Sequence, residues 1–180
     1  MLLNHWSGVP PMHRRWIFIN SIVISAVWNV VINGFGALLA AHGRHHVPLW
    51  STPVTGGPNL ILNPIGTLFF LPFATCLGVH FAVRNAYKKG VLTRLETHQR
   101  GPAWLSTLPS TRHRRAAKVG LVVVGAGGPL VILITAIGFS GGISISAYVI
   151  YCALFGLFLG LTVTPYIALA AMADYVDTKG

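Results

Sequence analysis

Four long, predominantly apolar runs, at residues 16–41, 59–83, 116–139 and 143–172, leave this chain very few architectures. Each reaches the roughly 20 residues that an α-helix needs to cross about 30 Å of hydrocarbon, and the last has enough excess to tilt or to end in the interface. Lipid offers no partner to a backbone amide, so such runs take the form that satisfies every amide internally, the helix. The charge content agrees: 9% of the 180 residues are charged, against about a quarter in a soluble domain. The expected fold class is therefore all-α, an integral membrane protein with four transmembrane helices in one bundle, and residues 1–180 form a single membrane domain. The first run follows His13, Arg14 and Arg15 and exceeds the roughly 7–15 apolar residues of a secretory signal, so it reads as an uncleaved span.

The net charge of +10 sets 13 Lys and Arg against Glu96, Asp174 and Asp177. The segment 84–115 holds Arg84, Lys88, Lys89, Arg94, Arg100, Arg112, Arg114 and Arg115, and the amino-terminal flank holds Arg14 and Arg15. By contrast, 42–58 holds Arg44 alone, and the turn of Ser140, Gly141 and Gly142 has no charge. The distribution of positive charge therefore places both termini and the basic loop in the cytoplasm. Charge in a short loop between spans has a topological cause, which argues against nucleic acid as a partner. Its expected partner is membrane lipid: Arg84, Lys88, Lys89, Arg112, Arg114 and Arg115 are read as contacts to anionic heads. In the same loop Trp104, Leu105 and Leu108 suit the membrane surface, with an extended solvated loop as the other reading. The opposite loop, VPLWSTPVTGGP, is rich in Pro and Gly and is expected to be irregular, anchored at the interface by Trp50.

Within the spans, polar and small residues fall at regular spacing. Ser21, Ser25, Asn29, Asn33 and Ala37 recur every fourth position and share one helix face; so do Cys152, Gly156, Gly160, Thr164 and Ala168. Amides in hydrocarbon need partners, and small-xxx-small rows let backbones approach closely, so both rows are expected at helix contacts. The other reading of Asn29 and Asn33 is a polar ligand or a water path. Pro64 and Pro72 in the second span, and GAGGP at 125–129 in the third, suit kinked helices such as transporters use around a midplane site. No carboxylate accompanies them. His80, one turn before Arg84, is expected to snorkel toward the interface.

His42, His45 and His46 form the cluster HGRHH. Imidazole binds metals well, yet no carboxylate or thiolate stands beside them, and a polar interface cluster is the preferred reading over a metal site. His42 and His80 fall at opposite membrane faces and cannot share one haem. Cys76 and Cys152 lie in apolar runs without ligand spacing, at depths that disfavour a disulfide. No GxSxG, HExxH, phosphate-cradling GxxxxGK[ST] or carboxylate pair is present, so no enzyme activity and no cofactor follow from the sequence.

VPLW, then NPIGTLFFLPFATCLGVHFAVRNAYKKG, and TPYIALAAMAD near the end resemble a group of small bacterial four-helix inner-membrane proteins. The resemblance covers the first two spans and the last. It implies four helices and a bacterial inner (plasma) membrane, and it carries no activity, cofactor or catalytic residue. An acidic residue tends to stand in that group where this chain has Asn63, so no ion-binding role is carried over. The expectation is a non-catalytic membrane subunit or accessory protein packing against other transmembrane helices, in a homo- or hetero-oligomer. The alternative is a small transporter or lipid-handling protein built on kinked second and third helices.

Overall fold

The structure is a computed structural model, and it describes residues 8–51, 57–96, 107–109 and 111–174. Four helices are long and apolar enough to span a membrane: α1 (Pro11–Ala40), α2 (Leu62–Lys88), α3 (Arg112–Gly138) and α4 (Ile145–Ala173). The protein is thus a multi-pass, all-α membrane bundle. At the basic end the helices outrun the apolar stretches that define them. Arg84 and Lys88 continue α2, and Arg112 begins α3 before the apolar run does. Hydrocarbon thickness limits apolarity and does not limit helical backbone, which persists where water or lipid heads accept the charges.

Local chemistry sets the helix ends. Before α2, the Oδ1 of buried Asn59 accepts from the amides of Ile61 (3.1 Å) and Leu62 (2.6 Å), while its Nδ2 donates to the Ser51 carbonyl at 3.3 Å. Two amides at the helix start gain a partner that lipid cannot supply. At the other end of α2, Gly90 adopts φ +69°, and Val91 N–H donates back to the Ala86 carbonyl at 2.9 Å, a Schellman closure. Helices α2, α3 and α4 run unbroken through Pro72, Pro129 and Pro165. In α1 the segment Ile17–Val23 is a π-helix. A step of four residues overshoots an α turn of about 3.6 residues and falls short of the wider π turn, so a row spaced by four is drawn back into line. His13, Ile17 and Ser21 all end on the buried side.

Helix α4 occupies the middle of the bundle: α1 and α2 both pack on it, and α3 packs on the outer side of α2. It therefore carries much of the buried surface, including Leu159, Ile167, Ala168 and Leu169. Helices α3 and α4 also meet through side chains near both ends. Thr135 and Tyr151 hydroxyls lie 3.2 Å apart at one end, and Arg115 reaches the Ala170 carbonyl at the other. The lipid-facing surface is strongly apolar, with Val27, Phe35 and Leu39 on α1 and Leu121, Leu133 and Ile137 on α3 all exposed.

At the end opposite the basic segment the described loop residues carry a short ladder, while 52–56 of the Pro- and Gly-rich loop lie outside the described residues. Strand β1 (His46–Val47) pairs antiparallel with β2 (Ile143–Ser144), His46 facing Ser144 and Val47 facing Ile143. Gly142, at φ +79°, makes this approach possible: a Cβ there would lie 2.5 Å from the Val47 carbonyl oxygen. Trp50 is exposed at this end. At the basic end, Val9, Leu92 and Leu95 are buried against the last turns of α4, and Leu108 packs on the same cluster. His13 joins it, with Nε2 2.7 Å from the Thr93 carbonyl oxygen. Trp104 and Leu105 lie outside the described residues.

One expectation needs correction here. Arg115 does not face lipid heads: it is 2% exposed, ion-paired with Asp174, and donates from Nε to the Pro109 carbonyl at 2.9 Å. It lies in the first turn of α3 on the side facing α4, where the Ala170 carbonyl near the end of that helix and Asp174 hold it inward. His80 lies toward the basic end of α2, with its Nε2 3.9 Å from Oδ2 of Asp174, the residue that caps α4.

Candidate functional site

The two rows spaced by four meet each other along the seam between α1 and α4. A Cβ placed on Gly156 would lie 2.5 Å from Asn33 Nδ2 and 2.9 Å from the Asn29 carbonyl oxygen. One placed on Gly160 would lie 2.7 Å from Asn29 Nδ2 and 3.3 Å from Ala26 Cα. Toward the basic end, the Ser25 and Thr164 hydroxyls are 3.3 Å apart. Toward the opposite end, Cys152 packs in an apolar cluster with Ala37 and Tyr148. Within α1, Asn29 Nδ2 donates to Ser25 Oγ (3.4 Å) and Asn33 Nδ2 to the Asn29 carbonyl (2.8 Å). Ser21 is fully buried and its Oγ has no partner among the described residues.

Because α1 and α2 both pack on α4, a groove of about 840 Å³ is left between them. Trp28, Asn29, Asn33 and Gly36 line it from α1; Asn63, Gly66, Thr67, Phe70, Ala74 and Gly78 line it from α2; Tyr148 and Cys152 on α4 lie at its floor. Trp28 and Phe70 are exposed, so the groove opens sideways on the bilayer. Two properties distinguish it from a gap that lipid simply fills. Asn63 Nδ2 donates to the Tyr148 hydroxyl, yet among the described residues the Oδ1 atoms of Asn29, Asn33 and Asn63 accept no hydrogen bond. Asn29 is only 5% exposed and lines the groove. The walls are also lined by small residues, and a Cβ on Gly36, Gly66 or Gly78 would meet nothing within 4 Å.

The α2 wall was missed in the sequence although its signal was present. Gly66, Phe70, Ala74, Gly78 and Ala82 repeat at the same spacing of four as the other two rows. Asn63, one turn earlier, supplies the polar end.

The basic residues Arg84, Lys88, Lys89, Arg112 and Arg114 are all exposed at one end of the bundle, and the structure separates Arg115 from them. His42, His45 and His46 are exposed at the other end. Among the described residues no group of three or more His, Cys, Asp or Glu is placed to hold a metal ion, and Cys76 and Cys152 are free thiols.

The class the fold defines is a four-helix membrane protein with a laterally open, amide-lined groove. No protein-family model, curated protein or solved structure matches the chain.

Proposed function

We propose that this chain is a non-catalytic membrane subunit whose groove between α1 and α2 receives a transmembrane helix of a partner. The observation that carries this reading is the pairing of uncommitted amide acceptors with glycines open to approach in one groove. Membrane helices associate through close backbone packing and interhelical hydrogen bonds, because lipid removes the hydrophobic drive between them. A helix about 10–12 Å across needs small residues on the walls that receive it, and donors on that helix would meet Asn33 and Asn63.

Filling the groove tests the reading. Gly78→Leu should leave the melting temperature of the purified protein within a degree or two, since a Cβ there meets nothing within 4 Å. The same variant should lose a partner that co-purifies stoichiometrically with the wild type in mild detergent. A partner retained equally by Gly66→Leu and Gly78→Leu would sink the proposal.

The resemblance noted in the sequence supports a bacterial inner (plasma) membrane, and the charge distribution supports both termini and the basic loop lying in the cytoplasm. Both Lys89 and His45 are exposed and lie at opposite ends of the bundle. In intact cells a cysteine at position 45 should react with an impermeant maleimide and one at position 89 should not; the reverse pattern would invert the topology.

A further inference from the structure

A second groove, about 290 Å³, lies between α3 and α4 at the basic end. We infer that it holds one acyl chain of an anionic phospholipid, whose phosphate sits against Arg114 and Lys118. This groove is independent of the one between α1 and α2.

Its walls are apolar along most of their length, with Val119, Val122 and Val123 from α3 and Val163 and Ile167 from α4. Val122 and Thr162 at its rim are exposed, so it opens on the bilayer. About a third the volume of the first groove, it admits a lipid chain where a helix would not fit. The basic-end mouth sets the choice of lipid. Lys118 lines it and is exposed, donating from Nζ to the Thr107 carbonyl at 2.9 Å. Arg114 lies one turn earlier on the same face of α3, and Arg112 at the helix start is also exposed. Among the described residues no carboxylate pairs with Arg112, Arg114 or Lys118, and Asp174 faces Arg115. Cations in the first turn of a helix oppose its dipole. In α3 that turn contains no acidic residue and its start has no side-chain cap. A phosphate at this point offsets both costs while its chain occupies the groove.

The test uses full-length protein in mild detergent, with phosphatidylglycerol, phosphatidylcholine of identical chains, or inorganic phosphate added. Native mass spectrometry reads lipid retention and thermal unfolding reads stabilisation. One phosphatidylglycerol should be retained per chain and raise the melting temperature. Phosphatidylcholine should be retained at least tenfold less and inorganic phosphate should give no shift. Arg114→Ala and Lys118→Ala should each lower retention about fivefold, from roughly 1 kcal/mol per cation near an anionic surface. Val163→Trp should abolish retention by filling the groove. Should it not fold, Val122→Trp at the exposed rim is the same test. Equal retention of both lipids, an equal shift with inorganic phosphate, or undiminished retention in a groove-filled variant that folds would each overturn the inference.

Discussion

Gly160→Leu should lower the melting temperature of the purified protein by many degrees, whereas Leu161→Ile, one residue away, should leave it nearly unchanged. The Gly160 Cα faces Asn29 and the backbone of Ala26, and even a methyl group there would stand 2.7 Å from Asn29 Nδ2. The amide could turn aside only by giving up its bond to Ser25, and the Ala26 backbone can move only if α1 moves with it. Overpacking of this kind typically costs about 1–3 kcal/mol. The Leu161 side chain is 46% exposed on the lipid side, where a branched isomer meets fluid neighbours. Equal thermal stability of the two variants would mean that the row containing Gly156 and Gly160 does not hold α1 and α4 together.

Asp174→Ala is expected to have the second large effect, because it leaves Arg115 charged and buried without its partner. Breaking a buried ion pair from one side costs about 3–5 kcal/mol. The value here should fall toward the lower figure, since the Asp174 side chain is 36% exposed and water reaches it. Replacing both partners, as in Arg115→Met with Asp174→Ala, should recover a substantial part of the loss. Thermal unfolding of the single and double variants forms a cycle, and strict additivity would show that the pair is not coupled. Arg114→Met is the control: that side chain is exposed, so its loss should shift unfolding little while weakening attraction to anionic vesicles.

The four spans could be read from the sequence because bilayer thickness imposes a length that apolar residues display directly. What the runs could not reveal is which helix touches which. The rows through Asn29 and Gly160 were visible as rows, but spacing describes one helix at a time, and their mutual contact depends on α4 returning between α1 and α2. Arg115 was misplaced for a related reason. Its three neighbours in RHRR are basic and exposed, and only the position of Asp174, nearly 60 residues later in the chain, turns one of the four inward. The pairing of His46 with Ser144 was hidden by brevity: two residues carry no alternation, and Gly142 signals a turn without naming the strand it faces. The groove was half legible. Its polar wall stood out, while its glycine wall on α2 was obscured by attention to the prolines, which leave that helix continuous.

The central position of α4 also dictates when the protein can become itself. Helices leave the ribosome in order, yet α1 and α2 both pack on the last one. Until Ile145–Ala173 has entered the bilayer, Asn29, Asn33 and the Tyr148-bound amide of Asn63 lack the surface on which they rest. A nascent chain halted after α3 therefore exposes its polar seam to lipid, the kind of signal by which membrane quality control separates unfinished chains from finished ones. Completion is a single event in this fold, the arrival of its final helix.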